Sequence, residues 1–378
     1  MIMYQELLST LGLNSYFLRF WQCASDFWRG PSAWKIWTLN VFLIVVVFLG
    51  LLTQYRLNVW NRDFFNALER RDGTAIGEQA LVFVPLALSS IALAILGVWG
   101  RMTTQRKWRE WLSRRLIEQW LVNEGYRRHT LLIDDHQTPE YRIAEDARVA
   151  TDAPVDFAVG LLTALLSALT FINVLWNVGG DLDINAFGRH LNFPGYLVIA
   201  AIAYATLTTA GMLVIGRRLV RVFEGKNQAE AELRRSAARI RENALQDNNA
   251  GDRKELQASL EHVIARWRDL CWQLMQTTLI SHGSFLLAPG VALTLCAPKY
   301  LAGTMSLGEV TQAAAAFVIV QAAFNWLVDN YPRFADWVSS ANRVGSLLIS
   351  LDELDRQPRT LDAATGISVT EDHTSAVR

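Results

Sequence analysis

Six windows of this sequence hold no Asp, Glu, Lys or Arg: residues 36–55, 80–100, 157–180, 191–216, 271–298 and 310–328. A hydrocarbon layer about 30 Å thick is crossed by about 20 apolar residues of helix. Lipid offers no hydrogen bonds, so a spanning segment must satisfy its own backbone, which a helix does. The windows therefore predict an all-α membrane protein with six transmembrane helices. His282, Gly283, Pro289 and Gly290 interrupt the fifth window and predict a kink or loop there. Of 378 residues, 51% are hydrophobic and 19% charged, and the charges crowd into the segments between windows. The formal net charge is zero, which gives no sign of a nucleic-acid partner and leaves the lipid bilayer as the expected one.

Basic residues set the expected orientation. The segment 101–148 carries ten Lys and Arg and 217–268 carries twelve, whereas 181–190 holds only Arg189 and 299–309 only Lys299. Both termini and the two long segments are predicted to be cytoplasmic, with the three shorter connections outside. Trp34, Trp37, Trp60, Trp108, Trp111, Trp272 and Trp337 fall near window ends, where amphipathic rings favour the headgroup layer. Residues 1–35 contain Glu6, Arg19, Asp26 and Arg29 and lack a compact apolar stretch ending in small residues. No cleaved leader is predicted; Leu18, Trp21 and Trp28 among polar neighbours predict an interfacial amphipathic helix.

The two basic segments read as helix. Trp108, Trp111, Leu112, Leu116 and Trp120 recur at three and four, and 227–243 is free of Gly and Pro. Spans two to five are thus predicted to continue as long cytoplasmic helices, turning near 134–139 and 246–252, where Asp, Asn, Pro and Gly cluster. This layout resembles that of an ABC exporter-type transmembrane domain. The domain plan is an interfacial segment over 1–35, a six-span domain over 36–350 and a linker with the start of a further domain over 351–378.

Four stretches carry a family resemblance. NVWNRDFFNALERRD at 58–72, TQRKWREWLSRRLIEQW at 104–120, PEYRIAEDAR at 139–148 and KNQAEAELRRSAARIREN at 226–243 resemble segments of the SbmA/BacA-like family and of its ATPase-fused relatives, the YddA-like and peroxisomal-type ABC transporters. The match covers about residues 35–355. Thr138, Glu140 and Leu233 depart from the family pattern. The resemblance implies half of a homodimeric transporter of peptides or peptide-like compounds in the bacterial inner membrane. It also implies a nucleotide-binding domain as partner, with ATP and Mg the cofactors of that domain and none in this chain. No G-x-x-x-x-G-K-[ST] loop occurs, and 367–378 resembles the first strand of such a domain cut short. A proton-coupled importer working without ATP stays open, as does a non-transporting membrane scaffold.

Candidate site residues follow from the cost of polar groups in lipid. His282 is the one titratable side chain well inside a window. Gln312, Gln321 and Asn325 in the sixth window, and Asn173 and Asn177 in the third, are candidates for a substrate cavity. Interhelical hydrogen bonding would explain them equally. Glu230, Glu232 and Glu242 are proton-coupling candidates by resemblance, against a plain solvated helix paired with Arg234, Arg235 and Arg239. Arg142, Glu145 and Asp146 match the family's hairpin-tip motif, which in ABC transporters presses on the ATPase. Catalytic motifs and metal clusters are absent from the sequence. Cys23, Cys271 and Cys296 are scattered and read as small apolar packing residues.

Overall fold

The computed structural model describes residues 15–30, 33–121, 139–186, 189–242 and 249–356. The helices are α1 Ser15–Phe27, α2 Ala33–Glu69, α3 Gly73–Leu121 and the short α4 Pro139–Tyr141. A π-turn at Arg142–Asp146 then leads into α5, Ala147–Gly179. The strands β1 Asp181–Ala186 and β2 Arg189–Pro194 form an antiparallel hairpin with Asp181 opposite Pro194. The chain continues as α6 Tyr196–Glu242, α7 Asn249–Leu301 and α8 Leu307–Arg356. Six of these helices are long and apolar enough to cross a membrane.

Helix starts follow local chemistry. Asp72 caps α3: its Oδ1 accepts from the Thr74 and Ala75 N–H groups at 3.1 and 3.2 Å. Ser306 and Glu309 form a reciprocal capping box at the start of α8. At the far end of α5, Gly180 takes φ +56°, and Lys299 Nζ donates to the carbonyls of Gly179 (2.6 Å) and Asp181 (3.1 Å). A cation there complements the negative end of the helix dipole.

Three sequence expectations shift. The fifth window does not break at Pro289: α7 runs through Pro289 and Pro298 without interruption. One lost backbone bond costs less than unwinding a helix in lipid. The connection after α5 is a hairpin reaching Pro194, so the fourth span begins at Tyr196 rather than 191. The sixth helix also extends far past its window, to Arg356. The predicted tip at 134–139 lies outside the described residues except for Pro139, and α7 already begins at Asn249 within the second tip. Residues 1–14 and 357–378 are likewise outside them.

The chain forms two compact units. The first combines residues 1–47, 94–159 and 331–378. Its core gathers Phe20 and Phe27 of α1, Trp108, Leu112 and Leu116 of α3, Ala147 of α5, and Val344 and Leu347 of α8. Phe27 stacks on Trp108 at 5.9 Å, and ion pairs Arg19–Asp352 (2.7 Å) and Arg115–Asp26 (2.8 Å) fix α1 at its edges. So α1 buries one face in this core while Leu18 and Trp21 remain exposed on the other. The second unit combines 48–93 and 160–330. Its core is rich in small residues, with Ala288 and Ala292 of α7 against Ala313, Ala316 and Phe317 of α8. Small side chains let helix backbones approach closely where lipid supplies no hydrophobic drive.

Candidate functional site

The substrate-cavity candidates all lie in the second unit and the Arg142–Asp146 turn in the first. Within the second unit the six cavity candidates divide by exposure. Half of the apolar window of α8 is buried, against none of that of α3. Gln312 and Gln321 are each 3% exposed. Nine positions at about 100° each put them on opposite sides of the helix, whereas Gln321 and Asn325 share a face. Gln312 Oε1, Gln321 Nε2 and Asn325 Oδ1 are buried atoms with no hydrogen-bond partner among the described residues.

His282, Asn173 and Asn177 are exposed. His282 stands on α7 between Leu279, Phe285 and Leu286, which are 74%, 61% and 71% exposed. Asn173 and Asn177 continue the exposed line of Leu165 and Leu169 along α5, and Asn177 Nδ2 donates to Asn173 Oδ1 at 3.0 Å. By contrast, the outward side chains of α3 from Leu81 to Trp99 include Leu88, Ile91 and Ile95, all apolar. In a bilayer, an exposed polar side chain faces water or another protein, while a purely apolar face suits lipid.

Two of the proton-coupling candidates, Glu230 and Glu232, have side-chain partners on their own or the neighbouring helix. Glu230 sits between Lys226 (2.8 Å) and Trp267 Nε1 (3.3 Å), and the same Lys226 lies 4.7 Å over the Trp267 ring. The hydrogen bond from Lys226, with the neighbouring positive charge, holds the Glu230 carboxyl below the usual glutamate range. Glu232 accepts from Gln228 at 3.2 Å. The Glu242 side chain lies outside the described residues.

The hairpin-tip candidates are integrated into α5 through its π-turn. A π-turn costs helix stability and recurs at functional positions. Arg142 is 7% exposed and Asp146 1%. Asp146 accepts two bonds from Arg343 of α8, from Nε at 2.9 Å and Nη2 at 2.7 Å. Arg343 also donates to Ser339 (2.6 Å) and Ser340 (2.8 Å). Glu145 is half-buried and pairs with Arg148, whose hydrogen bond draws the Glu145 carboxyl down. Sequence reasoning missed Arg343, because it lies 197 positions from Asp146 and no local pattern links them.

One open polar cavity, about 400 Å³, lies beside the turn between α2 and α3, lined by Arg62, Asp63, Asn66, Arg70, Asp72 and Glu309. The described residues contain no group of His, Cys, Asp and Glu arranged to hold a metal ion.

Six apolar helices with long helical extensions define a multi-pass membrane protein. The chain belongs to the ABC transporter transmembrane region 2 family, which it matches over residues 30–301. It is similar to the inner membrane ABC transporter ATP-binding protein YddA of Escherichia coli, at 24% identity over 82% of this chain and 56% of that protein. An ABC transporter ATP-binding protein of Haemophilus influenzae is 23% identical over 90% of this chain and 58% of its own length. The chloroplastic ABC transporter D family member 2 of Arabidopsis thaliana is 22% identical over 90% of this chain and 46% of its own. The chain thus spans about half the length of these relatives.

Proposed function

We propose that the chain is the membrane half of a homodimeric transporter that moves peptides or peptide-like compounds across the bacterial inner membrane, powered by an ATP-binding domain that acts with it. The observation that carries this reading is the contrast between faces. His282, Asn173 and Asn177 stand on the outer surfaces of α7 and α5, where lipid alone would penalise them, whereas the exposed side chains of α3 from Leu81 to Trp99 are all apolar. Two copies facing each other across these surfaces would enclose a passage with apolar walls and a few amide and imidazole contacts. Arg142, Glu145 and Asp146 are the proposed relay to the ATPase, and both termini are proposed to be cytoplasmic.

A second reading, a proton-coupled SbmA/BacA-like importer, rests on His282, a titratable group on an exposed apolar face. Glu230 lends it little support, since Lys226 favours its charged form. The test is uptake of a fluorescent cationic peptide by cells expressing the chain. ATP-driven transport predicts uptake that stops on ATP depletion with the proton gradient intact. Uptake that persists under ATP depletion and stops with an uncoupler would favour the proton-coupled reading. No uptake under any condition would favour a scaffold.

A further inference from the structure

Between Asp26 and Asp63 the sequence holds no Asp or Glu, yet Arg29 and Lys35 stand there among Trp28, Trp34 and Trp37. These residues lie where α1 ends and α2 begins, within the first unit. The two helix ends are held close together. The Ala33 N–H donates to the Gly30 carbonyl at 2.9 Å, and Trp37 Nε1 to the Trp28 carbonyl at 3.3 Å. The Trp28 ring sits 6.2 Å from that of Trp37 and 5.8 Å from that of Trp108, so it belongs to the packed core. Trp34 and Trp37 do not: they are 65% and 56% exposed.

Charges nearby are matched, and these two are not. Arg19 pairs with Asp352 at 2.7 Å and Arg115 with Asp26 at 2.8 Å. Asp26, the acid closest in sequence to Arg29, is therefore already engaged. Arg29 and Lys35 are exposed, and their side chains make no ion pair or hydrogen bond among the described residues. Trp34 Nε1 donates to none of those residues either.

Two unmatched cations, a free indole N–H and two exposed rings thus meet at residue 36, where the first apolar window opens. A phospholipid headgroup supplies what each of them lacks. A guanidinium grips phosphate oxygens with two parallel bonds, and an ammonium reaches them from an apolar stem. The indole N–H donates to a further oxygen, while the acyl chains cover the rings. A small soluble anion would match the charge and leave the rings bare. A second copy of the same stretch would bring like charges together. Phosphatidylcholine carries its own cation, which competes with Arg29 and Lys35, whereas phosphatidylglycerol carries none.

We propose that Arg29, Trp34 and Lys35 form a binding site for the headgroup of an anionic phospholipid of the phosphatidylglycerol type. The site does not depend on what the chain carries or on what powers it.

The test places a photoreactive p-benzoylphenylalanine at Thr38, which is exposed and one helical turn beyond Trp34. The full chain is put into nanodiscs holding equal amounts of phosphatidylglycerol and phosphatidylcholine, and the photoproducts are identified by mass. The expected result is a clear excess of phosphatidylglycerol adducts. Arg29→Gln and Lys35→Gln should each lower that excess roughly fivefold, the attraction of one cation near an anionic surface. Arg29→Lys combined with Lys35→Arg should keep it. So should Arg253→Gln, which removes an exposed cation on α7. Should the double Gln variant fail to fold, the two single variants carry the test. Equal adducts of both lipids in the parent would overturn the proposal, as would an excess that both Gln variants leave unchanged. An equal fall in Arg253→Gln would also overturn it, by reducing the preference to the field of the whole surface. Adducts to a second copy of the chain in place of lipid would assign the patch to a protein contact instead. Inorganic phosphate, compared with sodium chloride at the same ionic strength, should leave the excess intact. A loss specific to phosphate would give the site to a free anion and overturn the lipid assignment.

Discussion

Replacing Arg343 with alanine should loosen the π-turn at Arg142–Asp146 more than any other single change in the first unit. The Asp146 side chain is 2% exposed and that of Arg343 30%. Two parallel bonds at 2.9 and 2.7 Å join them. Without the guanidinium, the enclosed carboxylate loses both of these bonds. Breaking a buried pair from one side costs about 3–5 kcal/mol. Water already reaches part of Arg343, which places the cost near the lower end, about 3 kcal/mol. That is roughly a hundredfold in the local opening equilibrium. The assay is a double-mutant cycle on the purified chain, with opening free energies taken from hydrogen exchange of the 139–150 amides. Arg343→Ala alone should be the worst variant, and adding Asp146→Ala should recover part of the loss, since no unpaired charge then remains. Strictly additive effects, or an Arg343→Ala variant with unchanged exchange, would refute the reasoning.

Other outcomes follow from the same contacts. The Thr74 hydroxyl, with the Ala75 N–H, holds the Asp72 carboxyl below its ordinary value of 3.8. A depressed folded value means that the cap contributes fully above the unfolded value and fades as pH falls through the folded one. The gap in melting temperature between the parent and Asp72→Asn should therefore be constant near neutrality and close below about pH 4. Gly195 adopts φ +62°, and a Cβ there would lie 2.5 Å from the Trp176 ring. Gly195→Ala should cost about 1–2 kcal/mol from the backbone alone, with more from displacing the ring, read as lowered thermal stability. Lys226→Met should let the Glu230 carboxyl rise toward the ordinary glutamate range, visible in carboxylate infrared bands titrated between pH 3 and 6. A Glu230 band that titrates as before would show that Lys226 is not the cause.

All six spans were legible because lipid imposes one blunt rule, the exclusion of charge over about 20 residues. That rule reports the solvent, not the helix ends. The window at 310–328 stops at Asp329, yet α8 continues to Arg356, because charge does not end a helix and Pro332 alone does not break it. The hairpin was hidden differently. Its strands are six residues each, and 191–194 were absorbed into an apolar window although Leu191, Asn192 and Phe193 alternate as a strand does. Among candidate residues, the helical spacing of Gln321 and Asn325 was readable, and so was that of Asn173 and Asn177. Which pair faced outward was not, since that depends on neighbouring helices. The partner of Asp146 lies 197 positions away, beyond any local periodicity.

The central claim is that the faces of α5 and α7 that carry Asn173 and His282 border water while the outer face of α3 from Leu81 to Trp99 borders lipid. Single cysteines at His282, Asn173 and, as control, Leu88 of α3 test it with a charged, membrane-impermeant maleimide, because the reagent needs water to arrive and a thiolate to react. The account predicts labelling at positions 282 and 173, and none at 88 unless the membrane is dissolved. Equal silence at all three positions, or labelling at 88 matching the other two, would contradict it.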